Sequence, residues 1–89
     1  MSADELRSAL EALETARDLA EGEPEQRLDR IVDKVSAALD AGRQLDHGAL
    51  ARMDRTLDEL TDETSGETAD AVADAKAALI TYREGVPGA

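Results

Sequence analysis

The sequence predicts an all-α protein, folded as an antiparallel up-down-up-down four-helix bundle. Three observations predict it. Large apolar residues recur at three- and four-residue steps in four separate segments, and helix start and stop signals fall where that spacing breaks. No segment alternates apolar and polar residues as a half-buried strand would. The helices are expected over about residues 3–21, 24–41, 47–62 and 66–84 of a single domain covering 1–89. Short connections make consecutive helices antiparallel neighbours.

The first helix opens on Ser2 with Glu5, a capping-box pair in which each side chain satisfies a free backbone N–H. Its apolar stripe is Leu6, Leu10, Leu13, Ala16 and Ala20, and it should end near Glu21-Gly22. Pro24 suits the first turn of the second helix, where its missing N–H costs nothing. Leu28, Ile31, Val32, Val35 and Leu39 form the second stripe, and Gly42 is a left-handed stop. Asp46 caps the third helix, whose stripe is Leu50, Met53, Leu57 and Leu60. Thr64 with Glu67 reads as a second capping box, with Gly66 inside the first turn. The fourth helix carries Val72, Ala75, Leu79 and Tyr82, and stops around Gly85-Val86-Pro87.

Length and charge bound the function. A chain of 89 residues has room for one small core. Ten Lys and Arg stand against 21 Asp and Glu, a formal net charge of −11. Such a surface repels nucleic-acid phosphates and anionic lipids, and no basic stripe is evident to offset it. The longest uncharged run, Ala77 to Tyr82, is far shorter than the ~20 apolar residues of a spanning helix. The acidic N-terminus carries no apolar secretory segment, so a cytoplasmic protein is expected. With no Cys, disulfides and thiolate metal sites are excluded.

The kind of charge is informative as well. Arg outnumbers Lys eight to two, Ala replaces larger apolar residues, and Phe and Trp are absent. This composition looks like that of haloarchaeal cytosolic proteins. At −11 on so small a body, self-repulsion opposes compactness, and in ~1 M salt a Debye length of ~3 Å screens it. High charge with one aromatic is also a disorder signature, but the regular apolar spacing and the helix signals argue for an ordered chain.

Few residues carry recognisable chemistry. Di-iron bundles need Glu-x-x-His, and the position three before the only histidine, His47, is Gln44. Glu11 with Glu14, and Glu59 with Asp62, match the letters of Mg²⁺-binding pyrophosphohydrolase motifs. Chance alone gives about five acidic pairs at that spacing, and the chain has four. Asp54, Asp58 and Asp62 form an acidic ladder that reads as a hydrated outer face. His47 sits at a helix start, unlike the mid-helix histidine of a phosphotransfer bundle. No catalytic residue, metal site or cofactor is therefore expected.

An up-down bundle brings the start of the third helix and the ends of the second and fourth together. Arg43, His47, Tyr82 and Arg83 then converge on an otherwise acidic body, a candidate site for a small anion or acidic peptide beside two helix N-termini. The plain alternative is that the arginines pair with Asp40, Asp46 and Glu84 while Tyr82 anchors the core. The fourth helix is apolar on more than one side, with six alanines and Ile80, and Leu19 also lies off its own stripe. Leu19, Ala69, Ala73 and Ile80 are accordingly candidate interface residues of a homo-oligomer or a complex with another protein.

The run Asp46-His47-Gly48-Ala49-Leu50-Ala51-Arg52, the later Leu57-Asp58-Glu59-Leu60, and Tyr82-Arg83-Glu84 resemble a group of short acidic haloarchaeal proteins of unknown function. That resemblance covers most of the chain. It implies an all-helical cytosolic protein and supplies no catalytic residue. The expected function is a non-enzymatic interaction module, homodimeric in a high-salt cytosol, without nucleic-acid or membrane partners. The alternative is an anion-binding bundle using the Arg43 end, and below it an Mg²⁺-dependent nucleotide hydrolase.

Overall fold

Three amphipathic segments and a fourth, alanine-rich one can bury their apolar residues only against one another, so the chain's solution is helix on helix. The computed structural model describes residues 3–86 and contains four helices: α1 (Ala3–Leu19), α2 (Glu23–Ala41), α3 (His47–Glu63) and α4 (Gly66–Glu84). No strand occurs among the described residues. The bundle packs α1 against both α2 and α4, and α4 also against α3, whereas α2 and α3 touch only sparingly.

Most boundaries follow the local signals. Pro24 lies in the first turn of α2. Gly42 ends that helix at φ 66°, its N–H on the Leu39 carbonyl and the Arg43 N–H on Ala38, which closes the last turn. The Asp46 carboxylate accepts the Ala49 N–H at 2.6 Å and starts α3. The pairing of Ser2 with Glu5, and the stop at Pro87, involve residues outside those described.

Three expectations need correction. First, α1 ends at Leu19, two residues early, because Gly22 at φ 68° already turns the chain into α2. Second, Thr64 is no N-cap. Its hydroxyl donates back to the Leu60 carbonyl at 2.7 Å, and Ser65 takes the N-cap position of α4 without a side-chain bond. Only Thr64 and Ser65 separate α3 from α4, so Thr64 serves the end of the preceding helix. Third, Leu10 is half-buried and Ala9 is fully buried in its place. At 3.6 residues per turn, Ala9 falls between Leu6, Leu13 and Ala16, while Leu10 swings to the edge.

The core is continuous and wholly apolar among the described residues. Leu13, Leu28, Leu57, Leu60 and Val72 are completely enclosed. Alanines at 9, 16, 38 and 75 are equally enclosed, and small side chains of this kind let helix axes approach closely. Leu45 enters this core from the α2–α3 connection, outside every helical stripe. On α4, Val72, Ala75, Leu79 and Tyr82 are buried, and Ala71 and Ala78 pack beside them.

Candidate functional site

At one end of the bundle, a loop and two helix termini meet around Tyr82. The ring is 4 % exposed, and its hydroxyl accepts the Leu45 backbone N–H at 3.3 Å. That bond ties the α2–α3 loop to the last turn of α4. One residue on, the Arg83 Nε donates to His47 Nδ1 at 3.3 Å. With Nδ1 accepting, any imidazole proton sits on Nε2, which is covered and has no partner among the described residues. Of the four residues expected to converge here, three are joined in this way: Tyr82 to the loop, and Arg83 to His47. Arg43 stays exposed at the mouth of a small cavity of about 120 Å³, backed by Leu6, Ala38, Tyr82 and Val86. Pairing of Arg83 with Glu84 does not occur; His47 takes its place.

The candidate interface residues do not make one patch. Leu19 is 37 % exposed at the end of α1, where its carbonyl accepts the Thr68 hydroxyl at 3.2 Å. Ile80 is 42 % exposed and lies about 18 Å further along α4. Ala73 is exposed and Ala69 half-buried, both on the Ile80 side of that helix.

A second site lies where α2 and α3 stand apart. Arg27, Arg30, Ile31 and Lys34 of α2 have the same i, i+3, i+4, i+7 spacing as Ala49, Arg52, Met53 and Thr56 of α3, and the two sets line one cleft of about 260 Å³. A neighbouring cleft of about 370 Å³ shares Lys34, Ala49 and Met53 and continues to Arg43 and Leu45. The joined groove runs along α2 from Arg27 to the helix end at Ala41, about 21 Å of helix rise, with Arg43 just beyond. Ile31, Leu45 and Met53 are buried beneath it.

Residues 1–85 match the model of a family described as Family of unknown function (DUF7553). The chain belongs to this family. No curated protein and no solved structure matches it. For this DUF7553 chain, the side chains themselves therefore carry the functional argument.

The electrostatics of the groove are unlike the rest of the DUF7553 surface. Five of the chain's ten cationic side chains line it: Arg27, Arg30, Lys34, Arg43 and Arg52. Of the 21 acids, only Asp33 does. Arg27 is engaged, with Glu59 at 2.6 Å and Glu63 at 3.6 Å, and its pKa is raised chiefly by the Glu59 hydrogen bond. The other four make no ion pair among the described residues. Elsewhere three cations are paired, Arg7 with Asp4, Arg17 with Asp18 and Asp29, and Lys76 with Asp58, while Arg83 bonds to His47 and Arg55 makes no ion pair among the described residues. For Arg17 partial burial lowers the pKa, and the hydrogen bonds of Asp29 and Asp18 outweigh it to give a net rise.

The groove corrects the sequence reading that no basic stripe exists. The signal was present on α2, where Arg27, Arg30 and Lys34 follow helical spacing beside the core stripe. Arg52 could be added only by placing a second helix alongside. The acidic pairs do not assemble: Glu59 is committed to Arg27, and no group of three or more potential ligands that could hold a metal occurs among the described residues.

Proposed function

We propose that this chain is a non-enzymatic helical interaction module of a salt-rich haloarchaeal cytosol, with helices running up-down-up-down and antiparallel. One observation carries the interaction reading: the bundle leaves its α2–α3 edge open over an apolar floor, with four unpaired cations along the rim. A packed edge with self-paired charges would offer a partner nothing. The antiparallel course is supported by connections of only two to five residues. It is supported too by Thr68 at the start of α4 bonding to Leu19 at the end of α1. The salt-rich setting rests on the charge of −11 and on ion pairs that are all at the surface, where each contributes little.

Self-association is the second reading, favoured by Ile80, exposed beside Ala73 on an alanine-rich α4. At the Arg43 end, the bonds among Tyr82, Leu45, Arg83 and His47 favour a latch that holds the loop over an anion site.

The test places a photo-cross-linking side chain at Thr56, in the groove, and another at Asp70 as a remote control, in a native high-salt extract. Adducts to a different protein from position 56 alone support the module. Adducts to a second copy support self-association, and no adduct at position 56 removes the reading. Circular dichroism from dilute buffer to molar KCl tests the setting: cooperative melting should appear only as salt is added, and salt-independent helicity would overturn that part.

A further inference from the structure

We propose that the α2–α3 groove receives an acidic amphipathic helix from another protein. This rests on the interaction-module reading and names the partner's chemistry. Three features of the groove select that occupant.

The first is shape. A trough about 21 Å long between two helices accommodates a helix of about 14 to 16 residues, whereas a phosphate or carboxylate ion would occupy a small part of it. Helix in groove is a general mode of recognition, in which apolar anchors at i, i+3, i+4 and i+7 enter a hydrophobic floor. Here the floor is Ile31, Met53, Leu45 and the half-buried Ala49.

The second is charge. Arg30, Lys34, Arg43 and Arg52 are exposed and carry no ion pair among the described residues, on a chain with twice as many acids as bases. The chain's own carboxylates satisfy Arg7, Arg17, Arg27 and Lys76; of the cations they leave without an ion pair among the described residues, these four line one groove, and only Arg55 and the His47-bonded Arg83 lie outside it. Partner carboxylates flanking the apolar anchors complement that rim, and guanidinium groups hold them by paired hydrogen bonds. A second copy docked groove to groove would set cation against cation, so charge disfavours a symmetric dimer through this face. A nucleic acid long enough to fill the trough would extend over the acidic body on either side.

The third is persistence in salt. At ~1 M ionic strength, long-range steering is lost within ~3 Å. Contact hydrogen bonds and apolar burial survive that screening, and the groove offers both. Binding should therefore need the partner's apolar anchors as much as its carboxylates.

The experiment uses the full chain in ~2 M KCl. The probes are fluorescein-labelled synthetic helices of about 16 residues, with leucine at the anchor positions, glutamate on the flanks, and the stripe set in each of several registers. Fluorescence anisotropy should show saturable binding of at least one register. Replacing its glutamates by glutamine, or its leucines by serine, should each weaken binding by about tenfold or more. The double variant Arg30→Glu, Arg52→Glu changes only exposed residues; it should lose affinity by a similar factor while its melting curve stays that of the parent. Amide shifts on binding should centre on Ala49 and Thr56.

Several results would overturn the proposal: no register binds, the glutamine peptide binds equally well, or the double variant binds unchanged. Equal binding of a single-stranded oligonucleotide, or full displacement by inorganic phosphate, would do so too. If the peptides fail while the position-56 cross-linker still captures another protein, the acidic helix is wrong and the module stands. If both fail, the module reading falls with it.

Discussion

The α1–α4 seam and the α2–α3 edge belong to one bundle and are built in opposite ways. Helices α1 and α4 close on each other, and among the residues they bury Ala9, Ala16 and Ala75 are fully enclosed, with Ala71 and Ala78 packed against the core. At the edge, long cations stand where the seam has alanines, and the helices barely meet. Helix separation follows the size of the facing side chains. The seam is thus where stability is concentrated, and the edge is where surface is left for a partner. A small domain with a marginal core can leave one edge open only if the other contacts are tight.

Leu13→Ala bears most heavily on that contrast. Leu13 is fully enclosed in α1, so its truncation should cost about 3 kcal/mol, read as a lowered denaturant midpoint in molar KCl. A loss well below 1 kcal/mol would mean the core does not depend on α1 as described.

Overpacking separates the two regions directly. Ala75→Leu forces a larger side chain into a filled position and should cost about 1–3 kcal/mol. Ala49→Leu, in the open groove, should change stability by less than about 0.5 kcal/mol. Equal costs would erase the distinction between closed seam and open edge.

Tyr82→Phe tests the latch at the end of the bundle. The Leu45 N–H would lose its partner in a buried setting, at about 1–2 kcal/mol by chemical denaturation. Amide exchange at Leu45 should rise with it; unchanged exchange would show that the bond does not hold the loop.

Arg30→Ala with Arg52→Ala should leave stability within about 0.5 kcal/mol of the parent, since both side chains are exposed and unpaired. A large loss would make these arginines structural and take the rim out of the binding argument.

The smallest effect is alkaline. The Lys76 pKa is raised, first by its hydrogen bond to Asp58. A raised folded value means that the pair's contribution is full below the ordinary lysine pKa and is lost as pH climbs through the raised one. Lys76→Arg stays charged, so part of the stability lost across the lysine range should disappear in that variant. Superimposable pH profiles for parent and variant would show that the pair contributes nothing.

How much of this was legible in the chain varies with how local the signal is. The stripe of α3 was readable residue by residue, since Leu50, Met53, Leu57 and Leu60 are all buried, and that of α2 up to its last turn, where Leu28, Ile31, Val32 and Val35 are buried but Leu39 is half-buried and Ala38 enclosed in its place. Asp46 and Gly42 announced their caps because one side chain or one φ angle suffices there. Thr64 misled because the same hydroxyl can serve the helix before it or the helix after it, and the two-residue connection decided for the first. Leu45 was invisible to periodicity, lying outside every helix. The Tyr82 cluster was anticipated from topology, but the bond from Arg83 to His47, in place of one to Glu84, was not.

The sequence alone determined four helices, the greater part of their boundaries and the face each one buries. These follow from a 3.6-residue period, and a period is a property of neighbours along the chain. Tertiary structure alone decided that α2 and α3 stand apart and that Arg30, Lys34 and Arg52 share one groove. Whether two stripes face each other depends on how closely other helix pairs pack, and that is set by side-chain volumes summed across the whole core.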